Sequence, residues 1–135
     1  MRFLTTVLLL AVVQSAAFAD ELKCPKGTVP NGEKSRDVTT SWCELETDRL
    51  VMHGPYRSWY GDGVLGAAEN YDHGKLDGKS EYRWGNGNPQ ASGQYRHGVR
   101  EGVWIFHELY GSAPIRVGYS KGKVVSGHEP KWAAQ

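Results

Sequence analysis

The chain has 135 residues, with 16 Lys and Arg against 15 Asp and Glu and a formal net charge of +1. That balance argues against a nucleic-acid binder, which needs a basic face to release counterions from phosphate, and against general attraction to anionic lipid. Five Trp, seven Tyr and 17 Gly in so short a chain suit a thin, turn-rich β structure better than a helical core.

The N-terminus reads as a secretory signal peptide over residues 1–19. Arg2 supplies the positive start, Phe3 to Val13 form an apolar run broken only by Thr5 and Thr6, and Ala17-Phe18-Ala19 offers small residues for cleavage after Ala19. A run of about 11 residues is too short for the ~20 of a spanning helix, so no transmembrane segment is expected in the mature chain. Lys23 directly before Cys24 makes a poor lipobox. Removing residues 1–19 takes away Arg2 and no acid, which leaves 15 basic and 15 acidic side chains. The expected location is secreted or periplasmic.

Residues 20–53 come next. Asp20 to Thr40 is rich in Lys, Gly, Pro and Thr and shows no period, so it reads as irregular; Cys24-Pro25-Lys26-Gly27 reads as a turn and Trp42-Cys43-Glu44 as a short strand. Cys24 and Cys43 are the only cysteines. In an oxidising compartment such a pair implies one disulfide. A structural zinc site would need three or four converging ligands, and no His lies nearby. The segment is expected to cap the array that follows, because the end of a repeat array exposes unpaired edges.

From Gly54 to residue 128 the chain repeats. Tyr71, Tyr95 and Tyr119 are spaced by 24, as are Gly74, Gly98 and Gly122, then Gly63, Gly87 and Gly111, then Gly54, Gly78 and Gly102, with Gly127 one step late. Each period holds two candidate strands. Lys79 to Trp84 alternates polar and aromatic residues, a period of two. Asn86-Gly87, like Asp62-Gly63 one unit earlier, suggests a type I′ hairpin turn. Aligned units put Tyr56, Tyr60, Tyr82, Trp84, Trp104 and Phe106 on one face with Tyr71, Tyr95 and Tyr119. Arg57 and Trp59 fall on the other. The expected fold is all-β: an antiparallel meander of successive hairpins, followed by a C-terminal tail at 129–135.

The stretches GPYRSWYGDG, ENYDHGKLDG, KSEYRWGNG, GQYRHGVREG, GVWIF and GYSKGK together resemble the MORN repeat in its bacterial variant form. The resemblance covers Gly54 to about Gly127. It implies an elongated, twisted sheet that serves as a scaffold or binding surface, and bacterial proteins with this variant are often labelled antitoxins.

Little catalytic chemistry is legible. No Gly-x-Ser-x-Gly elbow or phosphate-cradling loop before a helix occurs. His73 and His97 sit at matching places in adjacent units, ~9–10 Å apart across two strands, too far to share one zinc. They read as turn residues. Catalytic, cofactor and metal residues are therefore expected to be absent. The candidate binding surface is Arg57, Trp59, Tyr60, Tyr82, Trp84 and Trp104. The expected function is a non-catalytic module that binds another protein. The alternatives are a periplasmic antitoxin or immunity-type protein, and a binder of envelope polysaccharide that stacks Trp and Tyr on sugar rings.

Closing a loop of ~20 residues with a disulfide stabilises a fold by roughly 3 kcal/mol in the chain-entropy model. Replacing Cys24 and Cys43 by Ser should lower the melting temperature by several degrees, measured by circular dichroism; an unchanged melt would contradict the capping role.

Overall fold

The computed structural model of the protein describes residues 22–111 and 113–134, so the signal-peptide reading of residues 1–19 lies outside the described residues. The strands are β1 (Thr28–Lys34), β2 (Val38–Leu45), β3 (Met52–Tyr60), β4 (Leu65–Asp72), β5 (Lys75–Leu76), β6 (Gly78–Arg83), β7 (Pro89–Arg96), β8 (Val99–Phe106), β9 (Ile115–Ser120) and β10 (Lys123–Ser126). A single 3-10 turn follows at Lys131–Ala133. Strands adjacent in sequence are adjacent in one open antiparallel sheet, with the short β5 pairing back on β4. This is the expected meander of hairpins. Among the described residues, no helix is long and apolar enough to cross a membrane.

Two kinds of turn alternate, and the type I′ turns are not where Asn-Gly suggests them. At Tyr60–Val64 and Trp84–Asn88, the Gly63 and Gly87 amides donate to the Tyr60 and Trp84 carbonyls at 2.8 Å. Only the glycines there have positive φ, +86° and +85°. These are three-residue loops, a type I turn closed by one left-handed glycine. The two-residue turns with positive φ at both positions are His73-Gly74, His97-Gly98 and Lys121-Gly122. Histidine tolerates the left-handed region better than most side chains, so His73 and His97 are turn residues, as the sequence suggested.

The remaining glycine column marks a slip in the ladder. Gly54, Gly78 and Gly102 have φ of +104°, +101° and +73°. Each pairs with the tyrosine of the following strand, Tyr71, Tyr95 and Tyr119. On their other side the register jumps. In β2–β3 it passes from Trp42↔Tyr56 to Glu44↔Met52, and in β7–β8 from Ser92↔Ile105 to Gln94↔Glu101. Across β4 it passes from Ala68↔Glu81 to Tyr71↔Leu76. The glycine-bearing segment thus carries two residues more than its partner each time, a bulge that needs a residue free to adopt positive φ.

Beside each bulge, the type I′ turn is pinned from the previous unit. The backbone amides of His73, His97 and Lys121 donate to His53 Nδ1 (3.3 Å), Asp77 Oδ2 (2.9 Å) and Glu101 Oε2 (2.8 Å). The next amides, of Gly74, Gly98 and Gly122, donate to the carbonyls of Met52, Leu76 and Arg100.

The N-terminal segment is more regular than its sequence suggests. β1 and β2 pair from Thr28↔Leu45 to Lys34↔Thr39, so residues 28–34 are a strand rather than irregular. Pro30, Asn31, Gly32 and Lys34 read as turn residues, yet β1 is an edge strand with one side unpaired. Proline is tolerated there, and proline and lysine discourage a further strand from adding. The Cys24–Cys43 disulfide forms as expected, with Cα atoms 5.6 Å apart. It points to an oxidising compartment outside the cytoplasm. Pro25 and Cys43 rest on Gly54, where an added Cβ would stand 2.7 Å from the proline ring.

The core lies on one face, toward the C-terminal half. Trp104, Phe106 and Val117 are fully buried, with Tyr119, Ala91 and Ala133 nearly so. Trp104 lies so close over Gly93 that a Cβ there would come within 2.2 Å of the indole. The tail is not free: Trp132 meets Trp84 and Phe106 edge-on, with ring centres 5.1 and 5.7 Å apart.

Gly93→Ala is expected to destabilise the fold by about 1–3 kcal/mol through overpacking, a drop of roughly 5–15 °C in Tm. Gly85 has open space around it, so Gly85→Ala should leave Tm nearly unchanged. Equal melts for the two variants would show that the indole does not need this glycine.

Candidate functional site

The aromatic face carries two adjoining depressions. The larger, about 320 Å³, is lined by Trp104, Phe106, Tyr95, Arg100 and Trp132 among others. The smaller, about 190 Å³, is lined by Val38, Ser58, Trp59 and Tyr60 among others. Tyr82 and Gln90 line both, which joins them into one groove across the sheet. The bulged register between Ser58 and Trp59, with Gly66 as the extra residue opposite, shapes the smaller end.

The C-terminal half of the face carries its own charge pair. The Arg100 guanidinium lies 5.0 Å from the centre of the Trp104 ring and 5.4 Å from those of Phe106 and Tyr119. A cation over a ring face is attracted by the ring quadrupole. Arg100 Nη1 also donates to Glu129 Oε1 at 2.9 Å, and the Tyr119 hydroxyl donates to the same oxygen. Burial, reinforced by that bond, pushes the Tyr119 hydroxyl up to about 12.

The N-terminal half has the rings and the acid but no such cation. Glu69 is buried, 9% exposed, and accepts from the hydroxyls of Tyr71 (3.1 Å) and Tyr82. Tyr56 meets Tyr71 edge-on, with ring centres 6.1 Å apart. None of the ion pairs among the described residues involves Glu69. Arg57 reaches the Glu69 backbone carbonyl at 3.3 Å. Burial and then the field of Glu69 raise the Tyr71 and Tyr56 hydroxyls; burial and then the bond to Glu69 raise that of Tyr82. A carboxylate has about four acceptor sites, so two phenols leave Glu69 with capacity to spare.

The repeat makes the two halves comparable. Two periods separate Tyr56 from Trp104, Tyr71 from Tyr119, and Met52 from Arg100. Where the third unit places a guanidinium, the first places a thioether.

Of the six residues expected to form a binding surface, five are half-buried and most use their polar groups internally. Tyr60 donates to the Arg83 carbonyl (2.8 Å), Trp84 to the His107 carbonyl (3.2 Å) and Tyr82 to Glu69. Arg57 bonds the Tyr56 carbonyl at 2.8 Å. Trp59, expected on the opposite face, lines the smaller depression beside Tyr60, where the register shifts between Ser58 and Trp59. Trp104 is a correction: it is a core residue at 0% exposure, seated on Gly93 beneath the larger depression rather than displayed on an outer surface. Sequence reasoning missed Arg100, Glu129 and Trp132 as members of the face, and did not count Glu69 among the binding residues. The signal for Glu69 was present, an acid two places before Tyr71 in β4 and so on the same face. Glu129 and Trp132 lie beyond the last repeat, where no column predicts them.

No protein-family model matches the chain, and no curated protein or solved structure shows significant similarity to it.

The raised tyrosines set a pH dependence. Their ionised form is disfavoured in the folded state, so the folded chain holds these protons more tightly than the unfolded chain, whose tyrosines titrate near 10.0. Their contribution to stability is complete below that pH and is lost as pH rises from there through the raised folded-state values. Thermal melts taken from about pH 8 to 12, with tyrosinate absorbance followed in parallel, should show Tm falling above pH 10 and part of the tyrosine signal appearing only on unfolding. Complete ionisation near pH 10 in the folded protein would contradict the burial.

Proposed function

We propose that this chain is a secreted or periplasmic module without catalytic chemistry, built of MORN-like repeats, that docks another protein on the open half of its aromatic face. The observation that supports this reading is the contrast within the face. In the third unit the rings hold Arg100, with Glu129 as counter-charge. In the first unit Tyr56 and Tyr71, with Tyr82 from the next unit, surround Glu69, and no basic side chain pairs with it among the described residues. A Lys or Arg presented by a partner would stand toward these groups as Arg100 stands toward its own. Aromatic residues flanked by a charge are also what protein interfaces favour at their energetic centres. The disulfide supports a location outside the cytoplasm, and the apolar N-terminal run supports export.

The test is chemical cross-linking of the processed protein to envelope extract, with captured proteins identified by mass spectrometry and their affinities measured. One partner protein should be captured in a salt-sensitive way. Glu69→Gln should weaken it roughly tenfold or more, as expected for loss of a charge-assisted contact of about 1.5–3 kcal/mol. Capture indifferent to Glu69→Gln would overturn the role of this half of the face. Retention instead on purified polysaccharide, abolished by Trp59→Ala, would favour the carbohydrate reading.

A further inference from the structure

The three type I′ turns repeat one device with three sets of residues. The device needs an acceptor one place before the bulge glycine, to take the amide of the first turn residue. Asp77 and Glu101 serve with carboxylates, at 2.9 and 2.8 Å. At the first joint the acceptor is an imidazole, His53, at 3.3 Å. The two residues it faces are also different in kind. Matching positions read His53, Asp72 and His73 at the first joint, Asp77, Arg96 and His97 at the second, and Glu101, Ser120 and Lys121 at the third. The turn device accounts for one acceptor and one residue at positive φ. It does not account for two imidazoles converging on a carboxylate, which occurs only at the first joint.

The convergence is close. Asp72 Oδ1 lies 2.6 Å from His73 Nδ1 and 3.3 Å from His53 Nδ1. The two imidazole rings stand 4.6 Å apart at 69°. One ligand atom from each residue lies within 4.8 Å of those of the other two. Atoms that all contact one cation at ~2.0–2.2 Å must lie within about that distance of each other. The side chains of Asp72 and His73 are half-exposed or more, 52% and 68%, while that of His53 is 26% exposed. A hydrated ion can therefore enter without opening the fold. Two imidazoles and one carboxylate suit Zn²⁺ and its first-row neighbours rather than Ca²⁺ or Mg²⁺, which prefer oxygen throughout. Three protein ligands leave positions for water, the arrangement of an open rather than a closed site.

We propose that His53, Asp72 and His73 bind a divalent transition-metal ion of the zinc class at the first repeat joint. The site ties the end of β4 to the start of β3, directly beside the disulfide-pinned hairpin. It is independent of the aromatic groove.

The experiment uses the protein freed of metal with EDTA and Zn²⁺ alone as the probe, followed by isothermal titration at about pH 7.5. One Zn²⁺ per chain is expected. Affinity should fall as the pH is lowered, because protons compete with the metal for its ligands. Asp72→Arg and His73→Lys install the residues found at the second and third joints, so the turns should be retained, and each should weaken zinc at least tenfold. A measurement on the unaltered chain guards against variants that fail to fold. In NMR spectra the imidazole signals of His53 and His73 should shift with zinc, while those of His97, His107 and His128 stay in place. No binding at about 100 μM Zn²⁺, or shifts at other histidines only, would overturn the site.

Discussion

A sheet with no second layer must find its core on one of its own faces, and here that requirement comes down to one seat: Trp104 lying on Gly93. The missing side chain of Gly93 lets the indole approach the neighbouring strand. Its N–H then reaches the Gln94 carbonyl at 3.1 Å, so a large buried ring leaves no donor unsatisfied. Tyr95 and Tyr119 stand against its faces and edges, Phe106 stacks beside it, and Arg100 crosses above. The closing tail belongs to the same arrangement. Glu129 neutralises Arg100, Ala133 fills the core, and Trp132 covers Phe106.

Nothing equivalent closes the other half. The position two units before Trp104 is Tyr56, whose hydroxyl keeps it from being a purely apolar plug, and no tail returns over it among the described residues. The acid on that side, Glu69, is held by phenols rather than by a cation. The same fold thus presents one finished and one unfinished version of a single chemical motif. Among the described residues, the segment after the last repeat supplies the difference, through Glu129, Trp132 and Ala133.

Periodicity was the strongest signal in the sequence because each glycine column answers a backbone need that no other residue meets as easily. The columns at Gly63 and Gly87, Gly74 and Gly98, and Gly54 and Gly78 correspond to a loop, a turn and a bulge respectively. Which column did which was harder to read. Asn86-Gly87 is a strong type I′ pair in isolation, yet its loop is one residue longer, and the type I′ geometry falls at His-Gly, which composition does not suggest. The β1 strand was hidden for a different reason: edge strands tolerate the residues that define turns elsewhere, so Pro30 to Gly32 carried no strand signal. Long-range partners were the least legible. His53 meets His73 across twenty positions, and Arg100 meets Glu129 across twenty-nine, because the bulges shift which residues come side by side. The offset of twenty could be recovered only by comparing the three joints with each other.

The pinning of each turn by the unit before it also governs how such a chain can change in length. Every joint draws its acceptor, its bulge glycine and its turn from two neighbouring units, in fixed phase. A gain or loss of a whole unit preserves each of these partnerships, whereas a gain or loss of any fraction breaks all three at one joint, and an odd number of residues also turns the aromatic face of everything beyond it to the wrong side. Size in this architecture is therefore quantised, and the molecule grows as a crystal row does, by complete cells.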